Sequence, residues 1–72
     1  MTDDKASIER TAARLRKARQ AKGMTQAEVA KKADISENHY AQVERAEKNP
    51  TVSTFKSIIK AIGVSSADIL DN

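Results

Sequence analysis

The sequence has no cysteine, only one histidine and no glycine-rich phosphate loop in its 72 residues. Without cysteine there is neither a disulfide framework nor a thiolate metal site. The single histidine, His39, has no second histidine, cysteine or convergent acid beside it, as a metal site would require. A chain this short should also leave no room for a sizeable pocket. These absences argue against an enzyme and against a bound metal or cofactor.

Long apolar runs are missing as well. No apolar stretch approaches the length that crosses a bilayer, and Met1-Thr2-Asp3-Asp4 lacks the basic and then apolar pattern of a signal peptide. We therefore expect a soluble, cytoplasmic protein with no membrane partner. A chain of this size forms one domain at most and buries only about 60% of the surface that its unfolded form exposes. Its stability should be marginal.

Positive charge is concentrated in the first third of the chain. Residues 1–23 carry seven basic and three acidic side chains, whereas the net charge of the whole chain is only +3. Such a cluster suits a protein that binds phosphates. A solvated helix face with ion pairs one turn apart explains the same charges equally well.

Apolar residues recur at helical spacing, and no segment alternates long enough to form a strand. We predict an all-α fold with five helices, in one domain over residues 1–72 with a core of about 8–70. The first six residues and the last two should fray. The predicted N-caps are Ser7, Thr25, Ser36, Thr51 and Ser65.

The third predicted helix has two different faces when its residues are placed about 100° apart. Tyr40 and Val43 fall together and should point into the core, so Tyr40 is expected to be a core residue and not a base-stacking aromatic. The helix should stop near Ala46, because Glu47 would otherwise come round to the core side, and Pro50 forbids continuation in any case. The opposite face carries only polar or small side chains, namely Asn38, Ala41, Gln42 and Arg45.

Three segments of the chain share a family pattern: RLRKARQAKGMTQAEVAKKADIS, HYAQVERAEKNP and FKSIIKAIGVSSADIL. Together they resemble the Cro and phage-repressor helix-turn-helix family, often called XRE, from Ile8 to Leu70. The most specific pieces are Thr-Gln-Ala-Glu, Val-Glu-Arg and the Asn-Pro before helix four. The resemblance implies a lambda-repressor-like fold in which helix three lies in the major groove and the start of helix two crosses the DNA backbone.

The resemblance also implies which side chains touch DNA. Asn and Gln can pair with adenine and Glu can accept from cytosine, although a carboxylate is also repelled by nearby phosphates. For Gln26 the alternative is an ordinary first-turn residue, and His39 is expected at the groove edge. The implied base-reading residues are Asn38, Gln42, Glu37 and His39. The implied backbone contacts are Gln26, Ser36, Arg45, Lys48 and Asn49.

Arg19 and Glu44 resemble the family's buried ion pair between helices one and three. Helix spacing supports this, since Glu44 lies beside Tyr40 on the flank of the core face and needs a cation. Arg19 should therefore be structural and contribute little direct contact to DNA. Two turn positions depart from the family: Asp34 stands at the turn glycine, where Asp tolerates the left-handed region at a cost of roughly 1 kcal/mol, and Ala46 stands at the glycine after helix three. Both chain reversals could therefore differ locally.

One reading helix touches too few base pairs to select a site in a genome, so we expect a homodimer on an inverted-repeat operator. The candidate interface is Val64, Ile69 and Leu70, unless these residues simply close the core. The expected function is that of a prokaryotic or phage transcriptional regulator, which blocks or recruits RNA polymerase by its position on DNA. The alternative is a protein-interaction module on the same fold, such as an antitoxin or a transcription-bridging factor.

Overall fold

The computed structural model describes residues 5–70, which form five α-helices and no strand. The helices are α1 (Lys5–Ala21), α2 (Gln26–Ala33), α3 (Glu37–Glu44), α4 (Val52–Ile62) and α5 (Ser66–Ile69). The prediction of an all-α fold with five helices is confirmed. Helix α3 ends at Glu44, two residues before the end expected near Ala46.

The first helix begins earlier than the sequence suggested. Lys5 and Ala6 are already helical, so Ser7 lies inside α1 and is not its N-cap. For Lys5 and Ala6, at the start of α1, the expectation of fraying stays a prediction. The same expectation for residues 1–4 and 71–72 lies outside the described residues.

Each later helix starts at an N-cap that the sequence predicted. Thr25 Oγ1 accepts the backbone N–H of Glu28 at 3.1 Å, and the Glu28 carboxylate accepts the Thr25 N–H at 2.8 Å, which completes a capping box. Ser36 Oγ accepts the N–H of His39 at 3.0 Å. The first turns of α2 and α3 are thus fixed by local bonds. The other two N-caps are Thr51 and Ser65.

One apolar cluster holds the helices together, and every helix contributes a side chain to it that is at most 1% exposed. These side chains are Leu15, Val29, Tyr40, Ile58 and Ile69. Helix α2 lies between α4 and α3 and packs most extensively against α4. The prediction that Tyr40 belongs to the core is confirmed.

The turn between α2 and α3 is formed at Asp34, which has the left-handed backbone conformation expected from the sequence, with φ 62° and ψ 43°. The N–H of Ile35 donates to the Ala30 carbonyl at 3.0 Å, and the Ile35 side chain packs against the core cluster. These contacts set the direction in which α3 leaves the turn.

The chain reverses again after α3, at Ala46. Its φ is 61°, in the region that favours glycine. The N–H of Ala46 donates to the Val43 carbonyl at 3.1 Å, and the N–H of Glu47 donates to the Gln42 carbonyl at 2.9 Å. The left-handed turn is thus formed by alanine, at a steric cost of roughly 1–2 kcal/mol for an L-residue.

Replacing Ala46 with glycine should raise the free energy of unfolding by about 1 kcal/mol, because glycine adopts this conformation without the steric cost. Urea unfolding followed by circular dichroism measures the change. Ala13→Gly is the matched control, at an exposed position inside α1, and it should lower the free energy of unfolding by about 1 kcal/mol. If both substitutions destabilise the protein equally, Ala46 carries no strain.

Candidate nucleic-acid interface

A buried carboxylate connects α1, α2 and α3. Glu44 is 7% exposed and is the one buried charged residue among residues 5–70. Arg19 of α1 donates from Nε to Glu44 Oε2 at 2.7 Å and from Nη2 to Oε1 at 3.2 Å. Gln26 of α2 donates from Nε2 to Glu44 Oε1 at 3.0 Å. The end of α3 is therefore held by side chains from two other helices.

The Arg19 guanidinium donates hydrogen bonds to other groups of the protein. In addition to its two bonds to Glu44, it donates from Nη1 to the Met24 carbonyl at 2.9 Å. The Arg19 side chain is only 12% exposed. Its contacts are therefore those of a structural residue.

The pKa values in this cluster follow from burial and from the neighbouring groups. Burial raises the pKa of Glu44, but the bonds from Arg19, together with the nearby Tyr40 hydroxyl and the Gln26 amide, outweigh burial and hold it below its ordinary value. The Tyr40 hydroxyl is buried without a hydrogen-bond partner of good geometry. Burial first, and then the Glu44 carboxylate, raises the pKa of Tyr40. At neutral pH Glu44 is therefore ionised and Tyr40 is neutral.

Gln26 has a second role that the sequence did not indicate. Its bond to Glu44 uses one of the two N–H groups of its amide and leaves the other for a further acceptor. The side chain is half-buried at the N-terminus of α2, where backbone N–H groups also favour an anion. Gln26 thus links the buried cluster to the start of α2, for which the family resemblance implies a position against the DNA backbone.

The outer face of α3 holds the residues that the resemblance implied for base reading. Glu37 and Asn38 are exposed, and His39 and Gln42 are partly exposed. Within residues 5–70 none of these four side chains has a hydrogen-bond or ionic partner. Ala41, which the sequence placed on this face, is buried at 9% exposure, because it turns toward the core flank of the helix.

Arg45 lies at the C-terminal end of this outer face and pairs with Glu47. The distances are 3.0 Å from Nε to Oε2 and 3.0 Å from Nη2 to Oε1. The Arg45 pKa is raised and the Glu47 pKa is lowered by these bonds. Sequence reasoning missed the pair, because residues two apart do not face each other on a helix and meet here only through the reversal at Ala46. Two further implied backbone contacts follow in the exposed loop, Lys48 and Asn49.

The three residues proposed for a dimer interface lie in different environments. Ile69 is 1% exposed, so its assignment to an interface is wrong; it closes the core where α5 packs against α1. The Ile69 carbonyl also accepts a bond from Arg14 Nη1 at 3.4 Å. Val64 is partly buried against the core cluster. Leu70 is 44% exposed and remains available.

Leu70 borders an apolar groove of about 470 Å³ between α1, α4 and α5. The groove is larger than so short a chain led us to expect. Val52 is 72% exposed at the groove, because it is the first residue of α4 and projects beyond the core. The other apolar residues that line the groove include Ile8, Leu15, Phe55 and Ile59.

Residues 5–70 carry neither a membrane-spanning helix nor a cluster of metal ligands. These residues contain no helix that is both long enough and apolar enough to cross a membrane. Nor does this part of the chain bring three His, Asp or Glu side chains together as metal ligands.

Two short helices that meet at a tight turn, with the second helix anchored on one face and polar on the other, define a helix-turn-helix protein of the DNA-binding type. The sequence comparison agrees. The chain belongs to the helix-turn-helix family, whose sequence model matches residues 15–69. The resemblance to that family seen in the sequence is thereby confirmed.

The chain is similar to named proteins in sequence. It is 36% identical over 52 residues to an uncharacterized HTH-type transcriptional regulator, y4dJ, of Sinorhizobium fredii (strain NBRC 101917 / NGR234), which covers 72% of this chain and 68% of that protein. It is 32% identical over 57 residues to the immunity repressor protein of Bacillus phage phi105, which covers 79% of this chain but only 40% of the repressor. The chain thus spans less than half the length of the phage repressor.

Solved structures share the fold. The restriction-modification controller protein C.AhdI from Aeromonas hydrophila superposes with a TM-score of 0.86 at 23% identity, over 90% of this chain and 98% of the controller. The clp gene regulator ClgR from C. glutamicum superposes with a TM-score of 0.82 at 32% identity, over 86% of this chain and 80% of the regulator. The five-helix arrangement is therefore that of known regulators.

Removing the cation from the buried cluster should destabilise the protein strongly. Arg19→Ala leaves Glu44 ionised and without its main partner, and we expect a loss of about 3–5 kcal/mol in the free energy of unfolding. Urea unfolding measures this loss. Arg16→Ala, at an exposed position on the same helix, is the control and should change stability by less than about 0.5 kcal/mol. A fully stable Arg19→Ala protein with impaired DNA binding would instead make Arg19 a DNA contact.

Proposed function

We propose that the chain is a sequence-specific DNA-binding transcriptional regulator, which binds an inverted-repeat operator as a homodimer with α3 in the major groove. The observation that carries this proposal is the outer face of α3. Asn38 and Gln42 lie there without partners within residues 5–70, on a helix whose opposite face is buried through Tyr40 and Val43. Amide side chains on a rigidly held helix can pair with adenine edges.

The flanks of this face supply groups suited to phosphates. The N-terminus of α2 offers backbone N–H groups and the remaining N–H of Gln26, beside the C-terminal end of α3. The loop after α3 adds the exposed side chains of Lys48 and Asn49. Phosphate contacts of this kind fix the register of a protein on the duplex, while base contacts carry the specificity. The names of the similar proteins, a transcriptional regulator and a repressor, support the same function for this chain.

A homodimer accounts for the selectivity that a single helix lacks. Half-sites about one helical turn apart match the two-fold symmetry of such proteins. For the interface we propose the exposed apolar rim of the groove, at Leu70 and Val52, with Val64 as a further contact and Ile69 excluded by its burial. The dimer would act by occupying its operator, where it blocks or recruits RNA polymerase.

In vitro selection from random duplexes tests base reading. The unmodified protein should enrich defined sequences, and Asn38→Ala and Gln42→Ala should each lose preference at particular positions, by about 1–3 kcal/mol per lost base pair contact. Gln20→Ala removes an exposed amide from α1 and should leave the selected sequence unchanged. A uniform loss of affinity would assign Asn38 and Gln42 to phosphates. No enrichment even at low salt would favour the protein-interaction module.

Sedimentation tests the dimer. Leu70→Glu places a charge on the proposed apolar interface and should shift the protein from dimer to monomer at micromolar concentration, because a charge buried there would be unpaired. Ala67→Glu adds the same charge at an exposed position of α5 and should leave the dimer intact. If the unmodified protein is a monomer both at high concentration and on its operator, the dimer proposal fails.

A further inference from the structure

We propose that Glu47 limits the affinity of this protein for DNA by occupying the guanidinium of Arg45 in place of a phosphate. The inference rests on the proposed function, since it concerns the same surface. It assigns to Glu47 a role that neither the family pattern nor the similar proteins indicate.

Arg45 is well placed to reach the DNA backbone. It caps the C-terminal end of α3, one residue beyond the last helical position. It follows Gln42 by three residues, so both lie on the same face of the helix. Arginine presents its N–H groups as a planar fork, which fits the paired oxygens of a carboxylate or of a phosphate. An unoccupied Arg45 would therefore be a phosphate ligand beside the base-reading residues.

The Glu47 carboxylate occupies one edge of the Arg45 guanidinium. Its two oxygens lie 3.0 Å from Nε and 3.0 Å from Nη2 of Arg45, so they take the two positions that phosphate oxygens would take on this edge. The reversal at Ala46, with φ 61°, brings the two side chains together and also directs a negative charge toward the proposed DNA surface. A phosphate cannot use the same edge of Arg45 until Glu47 leaves it.

Stability does not account for this pair. Both side chains are 53% exposed, in contrast to 12% and 2% for Arg19 and Glu44. Water screens an exposed ion pair, which contributes little to folding even with good geometry. Because the pair is weak, it can open when DNA binds. The free energy needed to open it reduces the binding free energy that the phosphate contact provides. Glu47 is thus an affinity-determining residue.

The test is Glu47→Gln, which keeps the size of the side chain and removes its charge. Binding to a selected duplex should tighten about five-fold at 0.15 M salt, because Arg45 no longer has to leave an exposed ion pair before it contacts a phosphate. Glu9→Gln, on the exposed face of α1, is the control for net charge and should change affinity by much less. Urea unfolding should be nearly unchanged in both variants.

A double-mutant cycle separates competition for Arg45 from general repulsion. In an Arg45→Gln background, Glu47→Gln should no longer tighten binding, because the guanidinium with which Glu47 pairs is absent. The proposal is overturned if Glu47→Gln binds like the unmodified protein or more weakly, or if its effect persists without Arg45. In those cases the unmodified protein still selects duplexes, so the proposed function stands. If the unmodified protein selects no duplex, the proposed function fails and this inference fails with it.

Discussion

The Glu44 side chain is 2% exposed and needs donors to remain ionised, and it obtains them from the two helices that precede α3 in the chain. Arg19 supplies the charge from α1 and Gln26 supplies an amide from α2. Because Glu44 is the last residue of α3, these bonds fix one end of that helix, while the capped turn at Asp34 and Ser36 fixes the other. The outer face of α3 is thereby presented in one orientation, which a surface that reads bases requires.

The two arginine–glutamate pairs of this region differ in burial, and therefore in how much they contribute to stability. The buried pair joins separate helices, and removing one partner would leave a charge that the interior cannot solvate. The exposed pair joins Arg45 to Glu47 two residues away, and water or a phosphate can replace either partner. Similar bond lengths thus belong to a fixed structural contact in one case and to an exchangeable contact in the other.

Periodicity and capping residues were sufficient to predict the five helices and the core position of Tyr40, because both depend on local sequence. The bond from Gln26 to Glu44 could not be predicted, since it joins residues 18 apart in the chain through side-chain direction alone. The different burial of Ile69 and Leu70 could not be predicted either. They are adjacent in sequence, yet only the docking of the short helix α5 on α1 decides that the first is buried and the second exposed.

We propose that the outer face of α3 and the start of α2 form the DNA-binding surface. Amide chemical shifts of the isotope-labelled protein, recorded as a selected duplex is added, test it most directly. The account predicts the largest changes at Asn38, Gln42 and the first turn of α2, with smaller changes around the groove between α1, α4 and α5. Changes confined to that groove, with α3 unaffected, would contradict the account.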